Sequence, residues 1–405
     1  MHSMNSTLAD TDLEKRFTQA TALHRQGNIE KACLLYLELH DEAEESPLIN
    51  YNLGLALFEL GRFLEACRYY RQALEQAPGH VDILYNLALC HHKIGEFSQA
   101  VDIYRQALHV SAKDVDCLYN LACCYTDMQE DDRAMAAYRQ VLDIDHDHCG
   151  SLNNLAFVYH RNDQYHQATR YYHRLLEVDP HHQAARHMLN SLEGGSRQSP
   201  PADYIRDMFD NYSQRYDISL VTELEYTAPA IMREKIDQVI NVPPHSATGL
   251  DLGCGTGLSG LAFSSLCKTF TGVDISPKMV DIASGKKIYS SLYVAEILEY
   301  LQVCPERYSL IVAADVLGYI GKLDEIFTTL LRVAQPGACF CFSTENSDDG
   351  DYILRKSGRF AHAPGYIETL CDSTGWSLIA QNPLNLRREK GDWIAGYVYI
   401  AVKKS

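Results

Sequence analysis

Residues 248–260 read Thr-Gly-Leu-Asp-Leu-Gly-Cys-Gly-Thr-Gly-Leu-Ser-Gly, a short apolar run that ends in a cluster of glycines. A second apolar run, over residues 269–274, ends in an aspartate. Glycines let the chain turn sharply after a strand and pass close to a ligand, because no Cβ stands in the way. The helix that follows would direct its free N–H groups toward a bound anion. The pattern predicts a strand–turn–helix nucleotide site, with Gly253, Gly255 and Gly257 in the turn.

Two carboxylates flank these glycines and indicate which nucleotide the site binds. Asp274, at the tip of the second strand, can accept two hydrogen bonds from a ribose diol, each contributing about 1.5–3 kcal/mol. Asp251 lies two residues before the first glycine, where a carboxylate facing the pocket would attract an ammonium or sulfonium and repel a pyrophosphate. Gly255, Gly257 and Gly260 also satisfy the dinucleotide pattern, so a dehydrogenase is the alternative. The charge pattern favours S-adenosylmethionine over NAD.

The segment from Asp251 to Gly257 resembles the first motif of the class I S-adenosylmethionine-dependent methyltransferases, an acid and a small apolar residue followed by Gly-x-Gly-x-Gly. The stretch Asp274-Ile-Ser-Pro-Lys-Met279 is similar to that family's ribose-binding acid and the start of its next helix. The resemblance implies S-adenosyl-L-methionine as the cofactor. The cofactor-binding residues that we expect are Asp251, Gly253, Gly255, Thr256, Gly257, Tyr216, Asp274, Ile275, Met279, Glu296 and Asp315.

From residue 248 onward, short apolar runs alternate with helical stretches, which is typical of a parallel sheet covered on both faces. Seven strands are predicted, near residues 248–253, 269–274, 291–295, 308–314, 338–343, 376–381 and 393–402. Ligands of such sheets bind beyond the carboxyl ends of the strands. There we expect Glu296 at the adenine amino group, the family's position for this contact, and Asp315 near the methyl group and its acceptor. Both could instead be solvated acids at strand ends.

A segment before the sheet carries aromatic residues at helical spacing, namely Phe209, Tyr212 and Tyr216. It resembles the lid that folds over the cofactor in many small class I methyltransferases. An aromatic lid would exclude water from the sulfonium. The alternative is that these rings only pack the core beneath an N-terminal helix.

The first half of the chain repeats with a period of 34 residues. The repeated positions are Tyr36, Tyr70, Tyr104, Tyr138 and Tyr172, together with Ala32, Ala66, Ala100, Ala134 and Ala168. This pattern resembles the tetratricopeptide repeat over about residues 13–180, with five units and a capping helix at 181–193. We therefore predict a two-domain chain: an all-α tetratricopeptide superhelix over 1–193, a Gly/Ser/Pro-rich linker over 194–203, and an α/β seven-stranded Rossmann-like methyltransferase domain with a helical lid over 204–405.

Four asparagines, one per repeat, form a column on the helices expected to line the groove of the superhelix: Asn52, Asn86, Asn120 and Asn154. An amide at regular spacing can donate to and accept from the backbone of an extended peptide. The alternative is that these residues only support the repeat fold. A groove of this kind predicts a protein or peptide partner.

The net charge of −17 lies mainly in residues 1–193, which hold 16 Lys and Arg against 28 Asp and Glu. An acidic surface repels phosphate backbones and anionic lipids, so nucleic acid and membrane are not expected as partners. The start of the sequence lacks a secretory signal and no run reaches the length of a membrane span, which predicts a cytoplasmic protein. The thirteen cysteines form no Cys-x-x-Cys pair, so we expect buried thiols and no metal site.

His362 and Tyr319 are the candidate catalytic residues, because a histidine titrates near neutrality and both lie in segments expected at the open end of the sheet. His362 could instead cap the helix that starts near Pro364. The Asn-Pro-Pro-Tyr type of motif is absent at residues 314–317, which disfavours methylation of base or amide nitrogens.

Taken together, both halves resemble bacterial methyltransferases that carry N-terminal tetratricopeptide repeats. The leading hypothesis is a methyltransferase whose repeats dock a protein or peptide partner or substrate. The alternatives are a small-molecule O-methyltransferase whose repeats serve oligomerisation or localisation, and a non-catalytic scaffold. The sequence leaves the methyl acceptor and the oligomeric state open.

Overall fold

A computed structural model describes residues 11–194, 199–218, 220 and 224–404. The chain divides into two compact units after Pro180. The first unit consists of helices that follow one another in antiparallel pairs. Within residues 11–180 these helices are α1 (Thr11–Arg25), α2 (Ile29–Glu42), α3 (Pro47–Glu59), α4 (Phe63–Gln76), α5 (Val81–Lys93), α6 (Phe97–Val110), α7 (Val115–Asp127), α8 (Asp131–Ile144), α9 (Cys149–Arg161) and α10 (Tyr165–Val178).

The residues that repeat every 34 positions form the core of the first unit. The five repeated tyrosines are at most 1% exposed and the five repeated alanines are fully buried. Gly54 faces one of these rings so closely that an added Cβ would lie 2.6 Å from the Cε1 atom of Tyr70. Small and large side chains therefore interlock between the helices of a repeat, and the predicted all-α repeat array is confirmed.

The turn between the two helices of each repeat places one residue in the left-handed region. Gly27, Gly61 and Gly95 have φ angles of 78°, 74° and 82°. In the last two repeats the equivalent residues are Gln129 and Asp163, with φ angles of 59° and 58°. A side chain in this conformation is strained, because its Cβ approaches the following carbonyl oxygen.

The second unit begins with α11 (Gln183–Glu193), which had been expected to cap the repeats. Its His187 donates from Nε2 to the carbonyl oxygen of Gly358 at 2.8 Å, and its Ser191 hydroxyl donates to the carbonyl oxygen of Lys356 at 3.3 Å. The helix thus packs on the second unit, and the division of the chain precedes the predicted boundary after Glu193. An apolar helical face can pack on the last repeat or on the second unit, so the sequence pattern could not decide between the two.

The linker predicted over 194–203 is shorter in the structure, because α12 already begins at Ala202. Residues 195–198 lie outside the described part of the chain. The other elements of the second unit are α12 (Ala202–Ile218), α13 (Ala228–Val239), β1 (Ala247–Leu252), α14 (Leu258–Phe263), β2 (Cys267–Asp274), α15 (Pro277–Gly285), β3 (Ser291–Val294), α16 (Ile297–Val303), β4 (Tyr308–Ala313), α17 (Asp324–Val333), β5 (Ala334–Asn346), β6 (Tyr352–Leu354), β7 (Phe360–His362), α18 (Pro364–Thr374), β8 (Trp376–Glu389) and β9 (Asp392–Lys403).

One sheet joins all the described strands of this unit. Strands β3, β2, β1, β4 and β5 pair in that order and in parallel, and β9 continues the sheet antiparallel between β5 and the edge strand β8. All seven predicted strands are therefore present. The short hairpin of β6 and β7 pairs with the end of β5 and was not predicted. The chain reverses its direction of strand addition between β1 and β4, so these neighbours form the switch point where ligands bind in open α/β sheets.

Apolar side chains cover both faces of this sheet. Leu250 and Leu252 belong to the core on one face, whereas Ala247 of the same strand belongs to the core on the other. Side chains alternate along a strand, so Asp251 lies on the face of Ala247, beneath α14. This alternation decides which residues of the glycine segment reach the ligand site.

Candidate functional site

A cavity of about 440 Å³ lies at the carboxyl ends of β1, β2, β3 and β4. The residues that follow these strand ends in its wall are Gly253, Gly255, Asp274, Ile275, Ala295, Glu296, Ile297, Leu298, Ala314, Asp315 and Val316. Seven of the predicted cofactor-binding residues line this cavity: Tyr216, Gly253, Gly255, Asp274, Ile275, Glu296 and Asp315. The ends of the four parallel strands therefore bring these residues together at one cavity.

The glycine turn after β1 brings the backbone to the cavity wall. Gly253 and Gly255 have φ angles of 66° and 51°, and a Cβ on Gly253 would lie 2.4 Å from the Cγ2 atom of Val316. The N–H groups of Gly253 and Cys254 both donate to the carbonyl oxygen of Val273, at 2.8 and 3.0 Å. Glycine is therefore required at residue 253 by both its conformation and its packing.

Asp274 is held by two backbone N–H groups. Its Oδ2 accepts from Gly255 at 2.8 Å and its Oδ1 from Ser276 at 2.9 Å. Burial raises the pKa of Asp274, and the N–H groups act in the opposite direction. Each carboxylate oxygen can accept more than one hydrogen bond, so the group remains able to take the two hydroxyls of a ribose.

The wall beyond β3 combines one carboxylate with apolar side chains. Glu296 precedes α16, and Ile275, Ile297 and Leu298 lie beside it in the wall. Burial, reinforced by the charges of nearby glutamates, raises the pKa of Glu296. An apolar slot with a hydrogen-bonding edge suits an adenine ring. We had not predicted Ile297 and Leu298, although the apolar pair directly after a strand-end acid is visible in the sequence.

The carboxylate of Asp251 does not line the cavity, contrary to the expectation that it faces the ligand. It is fully buried, and its Oδ2 accepts hydrogen bonds of 2.6 Å from the Ser259 hydroxyl and the Tyr289 phenol. The side chain points to the α14 face because of the alternation along β1. Burial raises the pKa of Asp251 to about 7, although both hydroxyls lower it. This residue ties the strand to the helix behind the glycine turn.

Three further predicted binding residues lie behind the wall of the cavity. The Thr256 hydroxyl donates to the carboxylate of Asp217, and Gly257, with a φ angle of 94°, precedes the first residue of α14. Met279 is fully buried in α15. These residues shape the turns after β1 and β2 and are not part of the wall.

Helix α12 contributes two aromatic side chains to the wall of the cavity. Its Phe209 and Tyr216 line the wall, with their ring centroids 6.0 Å apart, and Phe209 also lies 5.4 Å from the ring of Tyr319. The side chain of Tyr212 lies outside the described part of the chain.

Two aspartates fasten this helix to the loops beneath it. Asp210 accepts a hydrogen bond from the hydroxyl of Ser276, the N-terminal cap of α15. Asp217 accepts from Thr256 in the glycine turn and, at 2.6 Å, from the Nζ atom of Lys286. The two aspartates are seven residues apart, so they lie on one face of α12. The lid helix is therefore anchored at the ends of both β1 and β2.

Asp315 belongs to a buried network of charges. Its carboxylate accepts from Arg359 at 2.6 Å and from Arg387 at 3.0 Å, and Glu345 accepts from the same two arginines at 2.6 and 2.7 Å. Burial alone would raise the pKa of Glu345, but the two guanidiniums lower it to about 2. Asp315 is thus a paired acid in the cavity wall and not a solvated one, and sequence spacing gave no sign of its partners.

Tyr319 lines the cavity beneath the guanidinium of Arg359, which lies 4.4 Å from the centre of its ring. Burial raises the pKa of Tyr319, so the phenol keeps its proton at neutral pH.

His362 is fully buried and is absent from the cavity wall. Its Nε2 donates to the carbonyl oxygens of Ile320 and Gly321 at 3.0 and 2.9 Å, and burial lowers its pKa to about 4. It also does not cap α18, whose N-terminal cap is Ala363. The histidine therefore holds the loop after Tyr319. Its position does not support a role as a base in contact with the acceptor.

In the first unit the predicted asparagine column forms bonds between successive repeats. The Nδ2 atom of Asn86 donates to the carbonyl oxygen of Asp82 at 2.8 Å and to the Tyr51 hydroxyl at 3.4 Å. One repeat later, Asn120 donates to the carbonyl oxygen of Asp116 at 2.9 Å and to the Tyr85 hydroxyl at 3.2 Å. In the repeat after that, Asn154 donates to the Tyr119 hydroxyl at 3.2 Å. In the first of these repeats Asn52 donates to the Leu48 carbonyl oxygen at 2.8 Å. The amide protons of Asn86 and Asn120 are used within the array, which leaves their oxygens as acceptors.

Two further properties bear on membrane and metal binding. In the part of the chain that the structure describes, no helix combines the length and apolarity needed to cross a membrane, and no three His, Cys, Asp or Glu side chains cluster as metal ligands. The thirteen cysteines are free thiols, and only Cys149 among them is exposed.

Solved structures similar to this chain are repeat proteins. MamA from Desulfovibrio magneticus RS-1 has 19% sequence identity and a TM-score of 0.41, and covers 43% of this chain and 98% of its own. YrrB, described as a TPR protein with an unusual peptide-binding site, has 18% identity and a TM-score of 0.39, and covers 42% of this chain and 89% of its own.

Curated relatives of the second unit are methyltransferases. The ubiquinone biosynthesis O-methyltransferase of Thiobacillus denitrificans is 28% identical over 27% of this chain and 49% of its own length. Methyltransferase-like protein 27 of Homo sapiens is 30% identical over 36% of this chain and 59% of its own length. The malonyl-[acyl-carrier protein] O-methyltransferase of Buchnera aphidicola is 28% identical over 35% of this chain and 53% of its own length. The chain spans about half the length of the curated relatives it matches. The class to which they belong supports S-adenosyl-L-methionine as the cofactor.

Family comparisons divide the chain in the same way as the fold does. Residues 45–113, 95–155 and 149–178 match tetratricopeptide repeat families. Residues 250–342, from β1 through most of β5, match the methyltransferase domain family. The chain is therefore a tetratricopeptide-repeat protein with a methyltransferase domain.

Proposed function

We propose that the protein is an S-adenosylmethionine-dependent methyltransferase and that the cavity at the switch point holds the cofactor. The observation that carries the proposal is the carboxylate of Asp274, fixed by the N–H groups of Gly255 and Ser276 at the wall of a cavity of about 440 Å³. A ribose diol is the natural partner of such a fixed acceptor pair. The apolar slot beside Glu296 would receive the adenine.

The chain's own residues would bind and shield the cofactor. Asp274 would hold the ribose, and Glu296 would accept from the adenine amino group. Phe209 and Tyr216 on the anchored helix α12 would exclude water from the reacting centre. When bound, the cofactor would supply a methyl group activated for transfer by its sulfonium.

Among the described residues, the three candidates for a base near the expected reaction centre are not free to act as one. Asp315 is paired with two arginines, Tyr319 keeps its proton, and His362 lies outside the wall. Positioning the donor and acceptor in reactive geometry can contribute about 7–11 kcal/mol without proton transfer. We infer an acceptor atom that is nucleophilic without a strong base, and that releases any proton to solvent.

We further propose that the repeats dock a protein or peptide partner or substrate. The oxygens of Asn86 and Asn120 remain as acceptors one repeat apart, which suits the N–H groups of an extended peptide. The second candidate is a small-molecule O-methyltransferase, which the activities in the names of the relatives favour. We place either activity in the cytoplasm, because thirteen free thiols suit a reducing compartment.

Two steps test the proposal with the full chain. Equilibrium dialysis against S-adenosylmethionine, NAD and ATP should give binding of the first alone; binding of NAD or ATP alone would refute the cofactor assignment. Incubation with methyl-labelled cofactor and a cell lysate should then place label in protein if the repeats present the acceptor. Label only in small molecules would support the second candidate, and binding without transfer would support a scaffold.

A further inference from the structure

A second cavity, of about 260 Å³, adjoins the cofactor cavity. The two cavities share Ile205 of α12 and Tyr319, so the ring of Tyr319 forms part of both walls. The turn of the β6–β7 hairpin and the last residues of β8 complete the second cavity. Among the described residues, none from the hairpin or β8 lines the first cavity. The function proposed above therefore leaves these walls without a role.

Three arginines line the second cavity: Arg359, Arg387 and Arg388. Arg359 donates from Nε and Nη2, and Arg387 from Nη1 and Nη2, to the carboxylates of Asp315 and Glu345. These bonds leave Nη1 of Arg359 and Nε of Arg387 without a protein acceptor among the described residues. Each of the two buried arginines thus retains a donor while its charge is held in place.

The network behind the wall fixes the direction of these donors. Glu345, 2% exposed, bridges Arg359 and Arg387, and Arg388 is held by Glu225 at 2.9 Å and by the ring of Trp393, whose centre lies 4.8 Å from the guanidinium. An arginine that is already ordered loses less entropy when it binds an anion. The arginines of this wall are therefore held in place before any ligand binds.

We propose that this arginine-lined cavity binds the carboxylate of a small-molecule methyl acceptor, whose reacting atom then points past Tyr319 into the cofactor cavity. This inference rests on the proposed methyltransferase function and on its second candidate, a small-molecule acceptor, because it names the class of that acceptor. The two oxygens of a carboxylate can accept charge-assisted hydrogen bonds from one remaining donor on each of Arg359 and Arg387. Glu389 in the same wall disfavours a group with a second negative charge, such as phosphate. The volume fits one end of a ligand, since pockets for whole drug-sized ligands measure about 300–1,000 Å³.

The test measures binding to the full-length protein saturated with S-adenosylhomocysteine. Propionate, succinate and benzoate are titrated by calorimetry, each beside its amide, with inorganic phosphate as a further probe. At least one acid should bind tenfold or more tightly than its amide and than phosphate. Arg388→Gln should weaken that acid at least fivefold and leave the dissociation constant of S-adenosylhomocysteine unchanged.

Arg355→Gln is the matched control. Arg355 lies 3.8 Å from Glu345 in the same network and donates to the carbonyl oxygen of Asn346, but it does not line the cavity. It should leave acid binding unchanged. Equal binding of acids and amides, tighter binding of phosphate, or an equal loss in Arg355→Gln and Arg388→Gln would overturn the inference while S-adenosylhomocysteine still binds. A protein that fails to bind S-adenosylhomocysteine would overturn the proposed function and this inference together.

Discussion

At the scale of single residues, burial changes what an ionisable side chain near the cofactor site can do. Asp251 and His362 each have the residue type of a functional group, but both are buried and bonded to the protein. Burial raises the pKa of the first to about 7 and lowers that of the second to about 4. The neutral form of each is favoured, which suits a structural support better than a ligand contact or a base.

Asp251→Asn should make stability less dependent on pH. The folded pKa of about 7 lies above the ordinary value of 3.8, so the folded chain holds a proton that the unfolded chain releases between these values. The wild-type free energy of unfolding should therefore fall as the pH rises from about 4 to about 7. Denaturant titrations at pH 5 and pH 8 should show Asp251→Asn gaining stability relative to wild type at the higher pH. The exposed Asp281→Asn is the control, and an identical pH slope in wild type and Asp251→Asn would contradict the assignment.

His362→Gln should separate support from catalysis. A depressed folded pKa of about 4 means that the stability due to neutral His362 is present above about pH 6.5 and is lost as the pH falls toward 4. The variant should unfold more easily at pH 7.5, because it loses the hydrogen bonds from the imidazole to the carbonyl oxygens of Ile320 and Gly321. It should also lose less stability than wild type on acidification. It should keep kcat within about threefold, since a lost general base costs about 10²–10⁴-fold. A hundredfold loss of kcat in a folded variant would restore His362 as the base.

At the scale of elements, the periodic and strand-end signals were the reliable ones. The strand ends located Asp274, Glu296 and Asp315 at one cavity because parallel strands end at one edge. The β6–β7 hairpin was missed because strands of three residues carry no detectable period. The strand predicted over 376–381 extends to Glu389 in the structure, and it accommodates Pro383 because β8 is an edge strand. The side chain of Asp251 was predicted to face the ligand, but it lies on the face of β1 that α14 covers. The sequence does not show which face of a strand each helix covers.

Gln129→Gly should stabilise the first unit. Gln129 is exposed and holds a φ angle of 59° at the position where three earlier repeats have glycine. A left-handed side chain costs about 1–2 kcal/mol, and the greater freedom of unfolded glycine offsets about 0.4–1 kcal/mol. The expected gain in the free energy of unfolding is therefore about 0.5–1 kcal/mol, measured by denaturant titration. Gly61→Ala is the reciprocal control, because no atom lies within 4 Å of the added Cβ and only the backbone strain changes. Gly61→Ala should lose stability. A Gln129→Gly variant no more stable than wild type would contradict the claim that the backbone at Gln129 is strained.

At the scale of the whole molecule, the repeats and the methyltransferase domain are separate units with the division after Pro180. The sequence predicted both units and their order, because a 34-residue period and a strand–helix alternation are long-range patterns. It grouped α11 with the repeats, whereas the compact second unit starts at His181 and includes this helix. The bonds of His187 and Ser191 to the β6–β7 hairpin have large sequence separations that no local pattern contains.

Two truncations should therefore behave differently. A fragment of residues 181–405 should bind S-adenosylmethionine within about threefold of the full chain, whereas a fragment of residues 194–405 should melt several degrees lower. The shorter fragment lacks α11 and therefore loses two hydrogen bonds, each contributing about 0.5–1.5 kcal/mol, together with apolar packing beside the hairpin. Thermal unfolding and calorimetry of both fragments make the comparison. Equal melting temperatures would contradict the place of α11 in the second unit.

The most direct measurement of the central claim is the affinity of the full chain for S-adenosylmethionine with and without the carboxylate of Asp274. Calorimetry of Asp274→Ala should give a dissociation constant at least tenfold above that of wild type, because at least one charge-assisted hydrogen bond of about 1.5–3 kcal/mol is lost. Asp281→Ala, an exposed acid on the following helix, should bind as wild type does. An unchanged dissociation constant in a folded Asp274→Ala protein, or wild-type protein that ignores S-adenosylmethionine, would contradict the account.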